Sequence, residues 1–227
     1  VSLSALLTVL APAAADAQQS ISLNFGGFSP RGLDARSDDD VLVSNLFNGN
    51  DSLDFDVKDF NGATVGLEWL AALGPNVEAG LGIGVYRRTV PTVYAFLVED
   101  DFSEIEQDLR LRIVPFTATL RFLPFGRETA VQPYIGAGVG AFAWRYSEVG
   151  EFVDPFDGQI FQDRFIASGS SVGPLILGGL RFPAGPWTIG GEVRYQNAEG
   201  ELPEDDFLGP TIDLGGFNYL LTLNLNF

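Results

Sequence analysis

Two residue types on which most small catalytic sites depend are missing from this chain. It has no cysteine, which excludes a disulfide framework and thiolate chemistry. It has no histidine either, which removes the commonest general base and the commonest zinc ligand. No stretch reaches the ~18 uninterrupted apolar residues of a membrane-spanning helix. Basic residues are scarce, with Lys+Arg 13 against Asp+Glu 30 and a net charge of -17. Bare nucleic acid is therefore not expected as a partner, because its phosphates would be repelled. The 27 glycines, 46% hydrophobic content and 19% charge match neither a disordered chain nor a helical bundle. The 227 residues show no composition break, so one domain is expected.

What is present is alternation. In the last fourteen residues, Phe217, Tyr219, Leu221, Leu223, Leu225 and Phe227 share one parity, and Gly216, Asn218, Leu220, Thr222, Asn224 and Asn226 share the other. Alternate residues of a strand point to opposite faces, so this strand has an apolar and a largely polar side. The same dyad recurs at 20–27, 61–70, 77–85, 107–122, 131–146, 173–182 and 187–196, giving eight strands. Short turns at 73–76, 124–127 and 183–186 alternate with long connections at 29–60, 87–106, 147–169 and 197–213. That pattern predicts an all-β, eight-stranded antiparallel up-and-down transmembrane β-barrel. Leu53, Phe55 and Val57 continue the phase of Ala63 and Val65, which extends the second strand upward.

Residues 1–17 read as a secretory signal. An apolar core, Val1 to Leu10, is followed by the A-x-A triplet Ala15-Asp16-Ala17, so the barrel domain is expected to span 18–227. In the fourth strand, Leu109, Leu111 and Ile113 lie in one phase and Phe116, Ala118, Leu120 and Phe122 in the other. A β-bulge at Val114-Pro115 accounts for the change, and without it Arg110 and Arg112 would share the lipid-facing phase.

The polar phase places Glu68, Arg121, Arg181, Glu192 and Arg194 in the lumen, with Glu68 and Glu192 as its only carboxylates. Unpaired charges in a narrow interior are costly, so they are expected to pair, as a structural plug or as the lining of a gated pore. All acidic residues except Asp16, Glu68, Glu78, Glu128 and Glu192 fall in the long connections or, as Asp108 does, at their strand edges. The clusters Asp38-Asp39-Asp40, Glu99-Asp100-Asp101 and Glu204-Asp205-Asp206 either hold Ca²⁺ or Mg²⁺ loosely or form a solvated face. None has the spacing of a dedicated calcium loop, and no other cofactor is expected. Gly80, Gly82, Gly84, Gly136, Gly138 and Gly140 make room for large inward neighbours such as Tyr134, Phe142 and Trp144.

Gln132-Pro133-Tyr134-Ile135-Gly136-Ala137-Gly138-Val139-Gly140 and the terminal strand ending in Phe227 resemble the small outer-membrane β-barrel proteins of the OmpA/OmpX/OmpW type. The resemblance implies a bacterial outer-membrane location among lipid and lipopolysaccharide. It also implies insertion by the outer-membrane assembly machinery, with Phe227 as the signal. The enzymes of similar architecture rely on a histidine, so a non-enzymatic, monomeric protein is expected. Its work is then structural, or binding of an external ligand or protein through acidic loops. A narrow channel for small or apolar solutes and a soluble secreted β-sandwich are the alternatives.

Overall fold

The computed structural model describes residues 18–154 and 157–227, and the expected leader lies outside the described residues. The eight barrel strands are β1 (Gln19–Pro30), β2 (Gly62–Ala72), β3 (Val77–Val98), β4 (Glu104–Phe122), β5 (Gln132–Val153), β6 (Ile160–Ala184), β7 (Trp187–Gln196) and β8 (Gly216–Asn226). Each pairs antiparallel with the next, and β1 pairs with β8 with Leu23 opposite Leu223, closing the ring. At the seam, Gln19 N–H donates to Phe227 O at 3.0 Å and Phe227 N–H to Gln19 O at 2.9 Å. Both ends of the described chain thus lie at one end of the barrel, called here the terminal end. The opposite end is the loop end.

The alternation is inside-out by the standards of a water-soluble protein. Leu23, Leu67, Ile83, Phe116, Val139, Ile176, Ile189 and Leu221, one from each strand, are exposed, while Ser22, Glu68, Thr119 and Asn224 are buried. Only an apolar surrounding medium makes that arrangement favourable, and a strand of about 9–11 tilted residues spans it. Exposed Trp69, Phe122, Phe182, Trp187 and Phe227 stand toward the terminal end of this belt. Toward the loop end, Tyr195, Phe217 and Tyr219 pack together, with ring centroids 4.9 and 6.3 Å apart. Amphipathic rings favour such interfacial positions. A two-sheet soluble sandwich is excluded by the closed ring.

The bulge expected at Val114-Pro115 is absent. Against β5 the register runs unbroken from Gln107↔Gly150 to Phe122↔Ile135, through Val114↔Ala143 and Pro115↔Phe142. What changes is the surroundings. Odd residues face inward throughout β4, from Ile105, Leu109, Leu111 and Ile113 to Thr117, Thr119 and Arg121. Toward the loop end, the inside is an apolar core and the outside is water. Toward the terminal end, the inside is polar and the outside is lipid. Arg110 and Arg112 do share the outward phase with Phe116, but they stand beyond the belt. Pro115 fits because it faces Gly84, where an added Cβ would lie 3.2 Å from Pro115 Cγ.

Two of the four expected long connections are mostly strand. The β3–β4 hairpin turns within 99–103, and β5 and β6 stay paired out to Val153↔Ile160, so four strands rise well past the belt. The second strand does not extend through 53–57. Leu53–Asp54 is instead a short strand paired to Tyr94 and Val93 of β3, and Val57–Phe60 is a 3-10 turn. The remaining connections fold into a cap. Helix α1 (Val41–Leu46) and the hairpin of Glu199–Glu201 with Thr211–Asp213 carry Val41, Leu42, Ile212 and Leu214 into an apolar core with Phe60, Leu109, Phe142 and Tyr146. That burial, at roughly 1.5–3 kcal/mol per large side chain, is what holds the connections over the barrel mouth.

Candidate functional site

The inward charges of the strands meet in a single network. Arg121 Nη2 lies 2.6 Å from Glu68 Oε2 and 2.9 Å from Glu192 Oε2. Arg194 Nη2 lies 2.7 Å from Glu192 Oε1 and 3.2 Å from Glu68 Oε2. Two carboxylates therefore share two guanidiniums across the lumen. Thr119 and Tyr134 add hydroxyl donors at 3.1 Å to Glu68 and 3.0 Å to Glu192. Arg181 does not join this quartet. It pairs with Glu78 at 2.6 Å, and Arg127 reaches the other oxygen of Glu78 at 2.5 Å. The Tyr134 ring links the two groups, with the Arg121 and Arg181 guanidinium carbons 5.1 and 4.6 Å from its centroid.

Glu78 corrects the expectation that Glu68 and Glu192 are the only lumen carboxylates. It lies in the inward phase of β3 with Gly80 and Gly82, and that parity was the available signal. Arg127 comes from the turn beyond β4, where no period marks it.

The acidic clusters divide into three kinds. Asp38 and Asp39 are exposed, but Asp40 is buried and fully engaged. Asp40 caps α1 by accepting from Leu42 N–H at 2.9 Å, pairs with Arg36 at 2.8 Å, and accepts from Asp213 N–H at 2.6 Å. It is structural and not available to a cation. In Glu99-Asp100-Asp101, Ser103 donates its N–H and Oγ–H to Asp101 at 3.0 and 2.6 Å, holding that carboxyl below its usual range. Glu204, Asp205 and Asp206 are exposed and line a cleft in the cap. Among the described residues, no three carboxylates converge as a metal site would require.

That cleft, of about 310 Å³, opens at the loop end between the cap and the tall strands. Its walls include Tyr94, Phe152, Phe161, Phe165 and Phe207, and its lining includes Asn45, Gln107 and Glu148. Phe152 packs edge-on against Phe165 with centroids 4.8 Å apart. Glu148 Oε1 accepts from Asn45 Nδ2 at 2.7 Å and from Tyr146 Oη at 2.9 Å. Burial raises the Glu148 carboxyl above its ordinary value despite these two donors. Gln107 Nε2 donates to Tyr94 Oη at 3.1 Å and Glu151 O at 2.8 Å, and its Oε1 has no partner among the described residues. Sequence reading missed this cleft because its walls come from connections with no periodic signal.

No family model matches the sequence, and no curated protein matches it. Among solved structures, the outer membrane protein OprG from Pseudomonas aeruginosa is 16% identical, with 93% of this chain and 96% of that chain covered at a TM-score of 0.53. Neisserial surface protein A is 10% identical, with 93% and 99% covered at a TM-score of 0.51. The chain has the fold of the small outer-membrane β-barrel proteins.

Proposed function

We propose that this is a non-enzymatic integral protein of the outer membrane of a diderm bacterium, sealed through its lumen and working by binding at its outward, loop-end face. The observation that carries this reading is the double closure of the barrel. The quartet of Glu68, Arg121, Glu192 and Arg194 crosses the lumen toward the terminal end, and an apolar core fills it toward the loop end. An interior of eight strands is just wide enough for side chains to fill. A solute path would have to break both layers. Glu68 and Glu192 are also poorly suited to acid–base work, since each is held by two guanidiniums.

Planar-bilayer recording of the full chain tests the seal. No steady conductance is expected from the wild type, and the variant Arg194→Ala is expected to produce at most brief openings. A stable wild-type conductance that Arg121 or Glu192 replacement abolishes would establish a channel instead.

Binding is assigned to the cap cleft because its polar groups mainly accept. Gln107 Oε1 and the Glu148 carboxyl lie among aromatic walls, and Glu204, Asp205 and Asp206 line the same cleft. A cationic hydrogen-bond donor on an apolar or aromatic body complements this set, through charge-assisted bonds and cation–π contact. Calorimetric titration with phenylethylammonium is expected to show saturable binding that Gln107→Leu weakens about 10-fold, the worth of one hydrogen bond to a charged group. Equal binding of neutral phenylethanol, or no effect of Gln107→Leu, would remove the cleft from the reading.

A further inference from the structure

The register places three arginines directly opposite one another on the outer surface. Arg87 of β3 faces Arg112 of β4, and Arg112 faces Arg145 of β5. All three are exposed, and exposed Ser168 of β6 continues the row opposite Arg145. Each is the first outward position beyond the apolar belt on its strand. Val85, Val114 and Ala143 precede them, and Ile83, Phe116 and Ala141 form the row below.

Like charges directly opposite on neighbouring strands destabilise a sheet. This chain does not lack acids that might offset them, since it carries 30 Asp+Glu. The other basic residues, apart from Arg164 near the tip of the β5–β6 hairpin, show what a committed side chain looks like here. Arg31, Arg36, Lys58, Arg110, Arg121, Arg127, Arg181 and Arg194 each have an acidic partner. In the next row outward, Arg110 is held by Asp108 at 2.7 Å. Arg88 donates to Asp59 O at 2.7 Å. Among the described residues, Arg87, Arg112 and Arg145 have neither an ion pair nor a side-chain hydrogen bond. Adjacent strands lie about 4.7–4.9 Å apart, so the row spans roughly 10 Å, the scale of a phosphorylated headgroup.

We propose that Arg87, Arg112 and Arg145 form a ridge that binds the phosphate of an anionic lipid headgroup in the leaflet at the loop end. Guanidinium forks match phosphate oxygens two at a time, and three on one row convert mutual repulsion into a shared contact. The row abuts the belt, so a ligand whose other end is apolar gains there twice. A free anion would gain only the charge contact. The ridge is separate from the cap cleft, but it rests on the belt being inserted in lipid.

The test uses the full chain in nanodiscs of phosphatidylcholine containing a minor fraction of phosphatidylglycerol. Co-retained lipid is counted by native mass spectrometry, and the folded barrel is followed by its heat-dependent shift on gels. The wild type is expected to enrich the anionic lipid. Arg87→Gln with Arg112→Gln and Arg145→Gln should lower that enrichment at least 10-fold, and Arg112→Gln alone about threefold. Arg164→Gln, an exposed arginine outside the row, should leave it unchanged. In phosphatidylcholine alone the triple variant should melt no lower than wild type, because a repulsion has been removed. Unchanged enrichment in the triple variant overturns the proposal. Full displacement of the lipid by millimolar inorganic phosphate also overturns it, in favour of a soluble-anion site. Equal loss with Arg164→Gln would reduce it to nonspecific charge. A wild type that fails to insert would instead defeat the membrane reading, and the gel shift reports that separately. If the triple variant loses its folded band, the Arg112→Gln comparison decides.

Discussion

Arg121→Ala is expected to lower the unfolding free energy by about 3–5 kcal/mol, the usual cost of removing one partner from a buried ion pair. Arg121 is 3% exposed and bridges Glu68 and Glu192, so its removal leaves two carboxylates to share Arg194 alone. The quartet goes from neutral to a net negative charge in a low-dielectric interior. Equilibrium urea unfolding in lipid or detergent micelles measures the loss. Two companion variants separate charge from packing. Arg121→Lys keeps the charge but lacks the planar fork that spans both glutamates, so an intermediate loss is expected. Adding Glu68→Gln to Arg121→Ala should recover part of the loss by restoring neutrality. A cost under about 1 kcal/mol for Arg121→Ala would mean that water screens these charges, and the seal would then be a hydrated constriction.

Phe142→Ala should cost a similar amount, about 3–5 kcal/mol, for a different reason. Phe142 is fully buried where the apolar core begins above the polar lumen. Its ring covers Gly140 so closely that an added Cβ there would come within 2.6 Å of the ring. Gly140→Ala should therefore destabilise the wild type. In the Phe142→Ala background the same substitution enters vacated space and should be neutral or stabilising. That reversal of sign, read in the same unfolding assay, distinguishes a packed core from a wet one. Equal effects of Gly140→Ala in both backgrounds would show that the ring does not occupy this space.

The strands and the inward charges were legible because a closed barrel imposes period two on the sequence. Glu68, Arg121, Arg181, Glu192 and Arg194 stand out as charges in a phase that near them holds many glycines and small polar residues. Reading failed where it took the meaning of a phase to be constant along a strand. At Val114-Pro115 the chain keeps its parity while the inside turns from polar to apolar and the outside from lipid to water, and the sequence shows only the swap. Asp40 was misread for another reason. Three consecutive aspartates look alike in sequence, and only the arrival of Arg36 and the Asp213 amide makes the third structural. The cap and its cleft depend on contacts between residues such as Leu42 and Tyr146, far apart in the chain, so no local pattern announces them. The arginine row was hidden by the imagined bulge, since an inserted residue would have turned Arg112 away from Arg87 and Arg145.

The collar formed where β3, β4, β5 and β6 outgrow their neighbours has two side margins. On the β3 side, Leu53–Asp54 lies along Tyr94 and Val93 as a cover. On the β6 side, pairing with β7 starts only at Leu175; Asn197 N–H reaches Pro174 O at 3.1 Å and the Glu199–Glu201 strand leans on β6. Among the described residues, however, no strand is paired with β6 from the Ile160 end up to that point, apart from its β5 partner on the other side. A bare margin of this length invites a stray chain to zip onto it. Gln162, Asp163 and Arg164 stand along that stretch, and polar and charged residues of this sort deter such pairing, leaving the protein free to crowd in a membrane without fusing into sheets.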